Sequence, residues 1–388
     1  MSAVAPSSAL LRTPALLIAA AGTGGHVMPG LAVADALRAR GWSTAWLGTQ
    51  AGMERTLVER AGLPFHAVAF SSVRGKGLRK LLLGPLHLAK AVRDSVRILR
   101  RTAPQVVFTT GGYIAVPAGL AAAWTRRPLV FLNADAAPQL SLRILLRFVR
   151  VVLCGFDGAA ARLAGAKARV SGTPVRAEVA AVPDPASRFA AGPRQEEPLT
   201  MLVMGGSLGA RVFNETVPQA LAGLAPDRRP RVWHQCGAGN EASTRAAYAA
   251  AGVAAEVWPF LDDVADRYAR ADVVLCRAGA VTVSELCAAG VASVLVPFVA
   301  STTAHQRDNA EFLAARGAAI HLPQAGFDAQ ALARLLGGLQ RDELERMARQ
   351  ARALGRPDAT KTVADEIERL GRPPLPHAGE GGGEGIKP

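Results

Sequence analysis

One arrangement recurs along this chain and limits what it can fold into: a short apolar run ends in a glycine-rich turn, and a helical stretch follows at once. Ala15 to Ala20 leads into Gly22-Thr23-Gly24-Gly25-His26, with Pro29 where a helix start tolerates it and Leu31, Ala34 and Leu37 at helical spacing. Val106 to Thr109 leads into Thr110-Gly111-Gly112-Tyr113, and Leu129 to Leu132 and Val151 to Cys154 have the same strand character. After Ala177 to Pro198, rich in Pro, Ala and charge, the pattern restarts. Leu199 to Met204 precedes Gly205-Gly206-Ser207-Leu208-Gly209, and Val273 to Cys276 precedes Ala278-Gly279-Ala280. Strands alternating with helices form parallel sheets covered on both faces, so the predicted class is α/β with one sheet in each half. A chain of 388 residues, half of them hydrophobic, can bury a core in each. Ligands of such folds sit at the carboxyl ends of the strands, where every glycine turn here falls, and two facing sheets make a cleft.

Asp272 to Glu285 carries the most chemistry. An apolar strand enters a turn of small residues, and Thr282-Val283-Ser284-Glu285 opens a helix, leaving backbone N–H groups where a phosphate can sit. A carboxylate beside a phosphate is repelled unless it has a partner of its own, and the two hydroxyls of a ribose are the candidate for Glu285. The competing reading is that Thr282 or Ser284 caps the helix and Glu285 favours its first turn. The first glycine turn is not a dinucleotide site, because Val27 replaces the third glycine and Gly48-Thr49-Gln50 lacks the acid that holds an adenosine ribose. His26 is either an exposed catalytic imidazole or a polar helix-start residue.

The 45 basic against 31 acidic residues give +14, which suits an anionic partner. Nucleic acid is not the expected one, since aromatics are 5% and no RNA-binding, zinc-ligand or basic helix-turn-helix pattern occurs. The basic stretch from Arg74 continues into Leu81-Leu82-Leu83, which can dock on an anionic bilayer or simply pack its leucines inward. Cys154, Cys236, Cys276 and Cys287 form no C-x-x-C pair, so a reducing cytoplasmic setting is expected. Met1 to Leu11 lacks the basic start of a signal peptide, and no apolar run is long enough to span a bilayer.

Taken in order, the turns resemble those of the MurG family, the UDP-N-acetylglucosamine transferases of peptidoglycan synthesis. The resemblance rests on Gly22 to Gly30, Gly111-Gly112-Tyr113, Gly172-Thr173-Pro174-Val175-Arg176, Gly205 to Arg211, Trp233-His234-Gln235, Cys276 to Glu285, and His305-Gln306 before Asn309-Ala310. It implies the GT-B fold, two Rossmann-like parallel-sheet domains facing across a cleft. Residues 12–176 would form the acceptor and membrane side, 177–198 a linker, and 199–355 the donor side. Residues 356–371 would pack back on the first domain, and 372–388, with its Pro and Gly-Glu repeats, would be a disordered tail. The implied reaction is inverting transfer of GlcNAc from UDP-GlcNAc to the C4 hydroxyl of undecaprenyl-linked lipid I, giving lipid II, at the cytoplasmic face of the inner membrane. No cofactor and no metal are implied, and a UDP-GlcNAc 2-epimerase is the alternative that shares the nucleotide half.

Carried over by position, Thr23, Gly24 and Gly25 would line the cleft near the sugar and acceptor, with His26 as catalytic candidate. Arg176 and Ser207 would contact UDP, Leu261 would hold uracil through its backbone, and Gln306 would bind GlcNAc. Ala280, Val281, Thr282, Val283, Ser284 and Glu285 would bind diphosphate and ribose. The resemblance also makes Arg74 to Leu83 a membrane-docking surface. One loop departs: the family's usual His-Glu-Gln-Asn is Leu132-Asn133-Ala134-Asp135 here, so the expected donor-contacting asparagine is aspartate.

Overall fold

The computed structural model describes residues 13–22, 24–50, 52–70, 78–163, 167–190, 197–206, 209–298 and 304–371, with only the backbone described for 78–83 and 304. Among them are two wholly parallel sheets. The first comprises β1 (Ala15–Ala20), β2 (Ser43–Thr49), β3 (Phe65–Val68), β4 (Val106–Gly111), β5 (Leu129–Asn133), β6 (Val151–Cys154) and β7 (Ala168–Val170) in the order β3-β2-β1-β4-β5-β6-β7. The second comprises β8 (Thr200–Met204), β9 (Arg231–Gln235), β10 (Glu256–Trp258), β11 (Val273–Cys276), β12 (Ser293–Leu295) and β13 (Ile320–His321) in the order β10-β9-β8-β11-β12-β13. In both, strand order reverses beside the first strand, between β1 and β4 and between β8 and β11. The crevice at such a reversal is where an open α/β sheet receives ligands. The turns after these four strands are the glycine turns of the sequence.

Leu16, Leu17, Ile18, Val106, Val107 and Phe108 are buried on both sides of the first sheet, as are Met201, Leu202, Val203 and Val273 to Cys276 of the second. Continuous apolar runs at these positions follow from burial on two faces rather than one. The first helix, Gly24–Arg38, begins earlier than expected, so Pro29 lies inside it and not at its start. Gly30 lets that helix press onto β2, because a Cβ there would come within 2.6 Å of the buried Trp46 ring. The helix Ala359–Gly371 returns to the first sheet: Val363, Ala364 and Ile367 join the core of Leu16, Ile18 and Trp42, and Arg40 pairs with Asp365 at 2.8 Å.

The stretch after residue 176 is no loose tether. Its short helices, Ala177–Ala180 and Pro185–Ala190, dock on the second half, with Val179 and Val182 in that half's core. Arg188 is buried and donates to the carbonyls of Tyr268 and Ala289, which end helices of the second half. Residues 372–388, expected to be a disordered tail, lie outside the described residues, as does the basic stretch 71–77.

Candidate active site

The two reversal points face each other. The helices Gly24–Arg38 and Ala280–Ala289, which follow β1 and β11, touch across the cleft. His26, in the first turn of the former, donates from Nδ1 to the carbonyl of Thr110 on β4 at 3.0 Å, while the Thr110 hydroxyl donates to the His26 carbonyl at 2.7 Å. A proton held on Nδ1 leaves Nε2 as the unprotonated, basic nitrogen. Burial pushes the imidazole below its ordinary 6.5, the Asp135 carboxylate and the Thr110 hydrogen bond oppose this, and His305 reinforces it. His26 is therefore neutral near pH 7, the form a general base needs. Gly112, with φ of +75°, brings the turn after β4 up to this ring, and a Cβ there would overlap the carbonyl of Ala21. At Gly24, by contrast, a Cβ would meet no atom of the described residues within 4 Å. Gly25 is partly exposed beside it, and Thr23 lies outside the described residues.

On the opposite side the helix Ala280–Ala289 starts two residues earlier than its sequence suggested. Its N-cap is Gly279, with no side-chain cap, so neither Thr282 nor Ser284 caps it. The first N–H groups, of Ala280, Val281 and Thr282, have no acceptor within the helix and make the positive end that suits an anion. Ser284 is used inside the helix, donating to the Ala280 carbonyl at 2.7 Å. Val283 does not face the cleft: its side chain is wholly buried in the core and its N–H is bonded to Gly279 O at 2.9 Å. That side chain braces the helix against the core.

Glu285 has a partner that the sequence did not suggest. Its carboxylate is 7% exposed and takes two hydrogen bonds from Arg176, Nε to Oε1 at 2.9 Å and Nη2 to Oε2 at 3.1 Å. Burial works against the Arg176 charge, and the bonds and charge of Glu285 outweigh it. Tyr268 lies beside the pair, its phenol held neutral by burial and by the Glu285 charge.

A second cross-cleft node also escaped the sequence reading. Asn309 is fully buried; Nδ2 donates to Asp135 Oδ1 and to Ala278 O, each at 3.0 Å, and Oδ1 accepts from Ala136 N at 2.7 Å. Asp135 Oδ2 accepts from Gln139 Nε2 at 3.1 Å. Asn133 is buried and holds its own loop, donating to the carbonyls of Asp135 and Ala137. The loop that departs from the family pattern thus links the His26 side to the turn before Ala280. The only signal in the sequence was Asn309 within a matching motif.

Leu261 is buried in the loop after β10, and Gln306 accepts from Phe298 N at 2.9 Å. Ser207 lies outside the described residues; Gln235 donates to the carbonyls of Gly206 and Pro259, both at 2.9 Å. His234 is structural: buried between Tyr248 and Asn214, its imidazole is pushed down to about 3 by burial. The four cysteines are buried and unbonded to one another.

Residues 16–154 match the model of the glycosyltransferase family 28 N-terminal domain and residues 200–369 that of its C-terminal domain. The chain is 54% identical over 362 residues, 92% of it and 98% of the relative, to the UDP-N-acetylglucosamine–N-acetylmuramyl-(pentapeptide) pyrophosphoryl-undecaprenol N-acetylglucosamine transferase of Methylibium petroleiphilum. It is 52% identical to the protein of the same name from Chromobacterium violaceum, with 92% and 98% covered. The crystal structure of Acinetobacter baumannii MurG superposes with a TM-score of 0.80 at 34% identity, covering 92% of this chain and 99% of that one. With two parallel sheets meeting at their reversal points and both domain models matched in order, this chain belongs to glycosyltransferase family 28 and, within it, to the MurG family of GT-B UDP-N-acetylglucosamine transferases.

Proposed function

We infer that this chain transfers GlcNAc from UDP-GlcNAc to the C4 hydroxyl of the MurNAc-pentapeptide of lipid I, giving lipid II in peptidoglycan synthesis. The observation that carries this is the contact between the helix Gly24–Arg38, which opens with the neutral imidazole of His26, and the helix Ala280–Ala289, whose start is uncapped. Inversion needs the attacking hydroxyl to lose its proton opposite the leaving diphosphate. His26 Nε2 accepts that proton, and the helix start supplies positive potential to the departing UDP. Glu285 accepts from the ribose hydroxyls and Gln306 serves the sugar. The test is transfer of labelled GlcNAc to a lipid I analogue. No product with both substrates present would overturn the reading, and conversion of UDP-GlcNAc without any acceptor would favour a 2-epimerase.

The enzyme works peripherally, at the cytoplasmic face of the inner membrane, and no helix among the described residues is long and apolar enough to cross a membrane. Support for docking comes from the first domain, where Leu86 is 68% and Trp124 75% exposed on neighbouring helices, Leu78–Thr102 and Ala115–Trp124. Lys90 and Arg93 are exposed on the same long helix as Leu86, directly following the Arg74 to Leu83 stretch. Burying a leucine or tryptophan contributes about 1.5–3 kcal/mol, so Leu86→Ser with Trp124→Ser lowers affinity for anionic vesicles about tenfold or more. Activity on a short-chain soluble acceptor is retained. Unchanged vesicle sedimentation would show that these residues do not meet the bilayer.

A further inference from the structure

The Arg176–Glu285 pair joins the segment that leaves the first sheet to the helix that follows β11. Arg176 is the N-cap residue of Ala177–Ala180, and that helix lies against Ala280–Ala289 and Val264–Arg270. Both guanidinium bonds end on the one carboxylate, which is fixed in plane by the fork. A carboxylate has about four lone-pair sites and the fork occupies two, so one acceptor position on each oxygen remains. Two acceptors held in a fixed plane match the vicinal hydroxyls of a ribose. Tyr268 is buried behind the pair, its phenol neutral.

We propose that Arg176 is a positioning residue for ribose recognition, acting through Glu285 and not on the diphosphate, and that the interdomain segment thereby fixes the carboxylate that recognises the ribonucleotide. The proposal rests on the reading of Glu285 as the ribose acceptor. An arginine that touched the diphosphate would serve a ribo- and a deoxyribonucleotide alike. One that aligns Glu285 serves only the nucleotide with both hydroxyls. Lysine retains the charge but cannot make the fork, so Arg176→Lys separates these roles.

The experiment is calorimetric titration of the full chain with UDP and with 2′-deoxy-UDP. The unaltered protein prefers UDP by roughly tenfold or more, the loss of one hydrogen bond to a charged acceptor. In Arg176→Lys that preference falls to about threefold or less while 2′-deoxy-UDP binds within about threefold of its original affinity. Equal weakening of both nucleotides, with the preference kept, would make Arg176 a diphosphate contact and overturn the proposal. A parent protein without preference would instead overturn the role of Glu285. Should Arg176→Lys be poorly folded, the cycle is completed in Glu285→Gln: there, adding Arg176→Lys leaves UDP affinity unchanged if the arginine acts through the carboxylate, and weakens it again if it does not.

Discussion

His26→Ala and His26→Gln lose about a hundredfold or more in kcat at saturating donor and acceptor, with the donor KM little altered. The reason is geometric before it is electrostatic: the Thr110 carbonyl holds the Nδ1 proton, which leaves Nε2 as the unprotonated nitrogen. Because burial lowers the imidazole from 6.5, the acidic limb of the kcat profile lies below that value, since activity is lost only when Nε2 is protonated. The groups facing His26 give the sign of further changes. Asp135 raises its affinity for protons and His305 lowers it, so Asp135→Asn moves the limb to lower pH and His305→Gln moves it up. A His26→Ala enzyme with normal kcat and only a raised KM would make the residue a binding group and send the search for the base elsewhere.

Glu285→Ala raises the donor KM by ten- to a hundredfold, the consequence of losing hydrogen bonds to a charged acceptor at about 1.5–3 kcal/mol. The fold tolerates the change better than removal of its partner. Arg176 is 35% exposed and regains water when the carboxylate is deleted, whereas Glu285 at 7% would be left buried without its cation. Donor titration of the steady-state rate, with the melting temperature as control, separates the two effects. An unchanged donor KM in a folded protein would remove Glu285 from the nucleotide site.

Much of the fold was legible because buried parallel strands read as unbroken apolar runs. Ala15–Ala20, Val151–Cys154 and Val273–Cys276 fall where their residues alone put them. The edge strand Phe65–Val68 did not, since it is short and only Val68 of its residues is fully buried. Helix starts were read too late at Pro29 and at Thr282, and for one reason. Sequence signals favour a proline or a hydroxyl at the start, while the chain begins these helices on glycines, as at Gly279, whose missing side chain leaves the terminal N–H groups open.

The chain order of apolar runs and glycine turns by itself determined the α/β class, the two sheets and the turns where ligands approach, because those properties depend on residues close in sequence. The tertiary structure alone decided how the turns are joined. Arg176 and Glu285 are 109 positions apart, and Asp135 and Asn309 are 174 apart. No local pattern marks such pairs. They exist because two reversal points face each other, and polar groups that become buried where the halves meet must find partners from the opposite side.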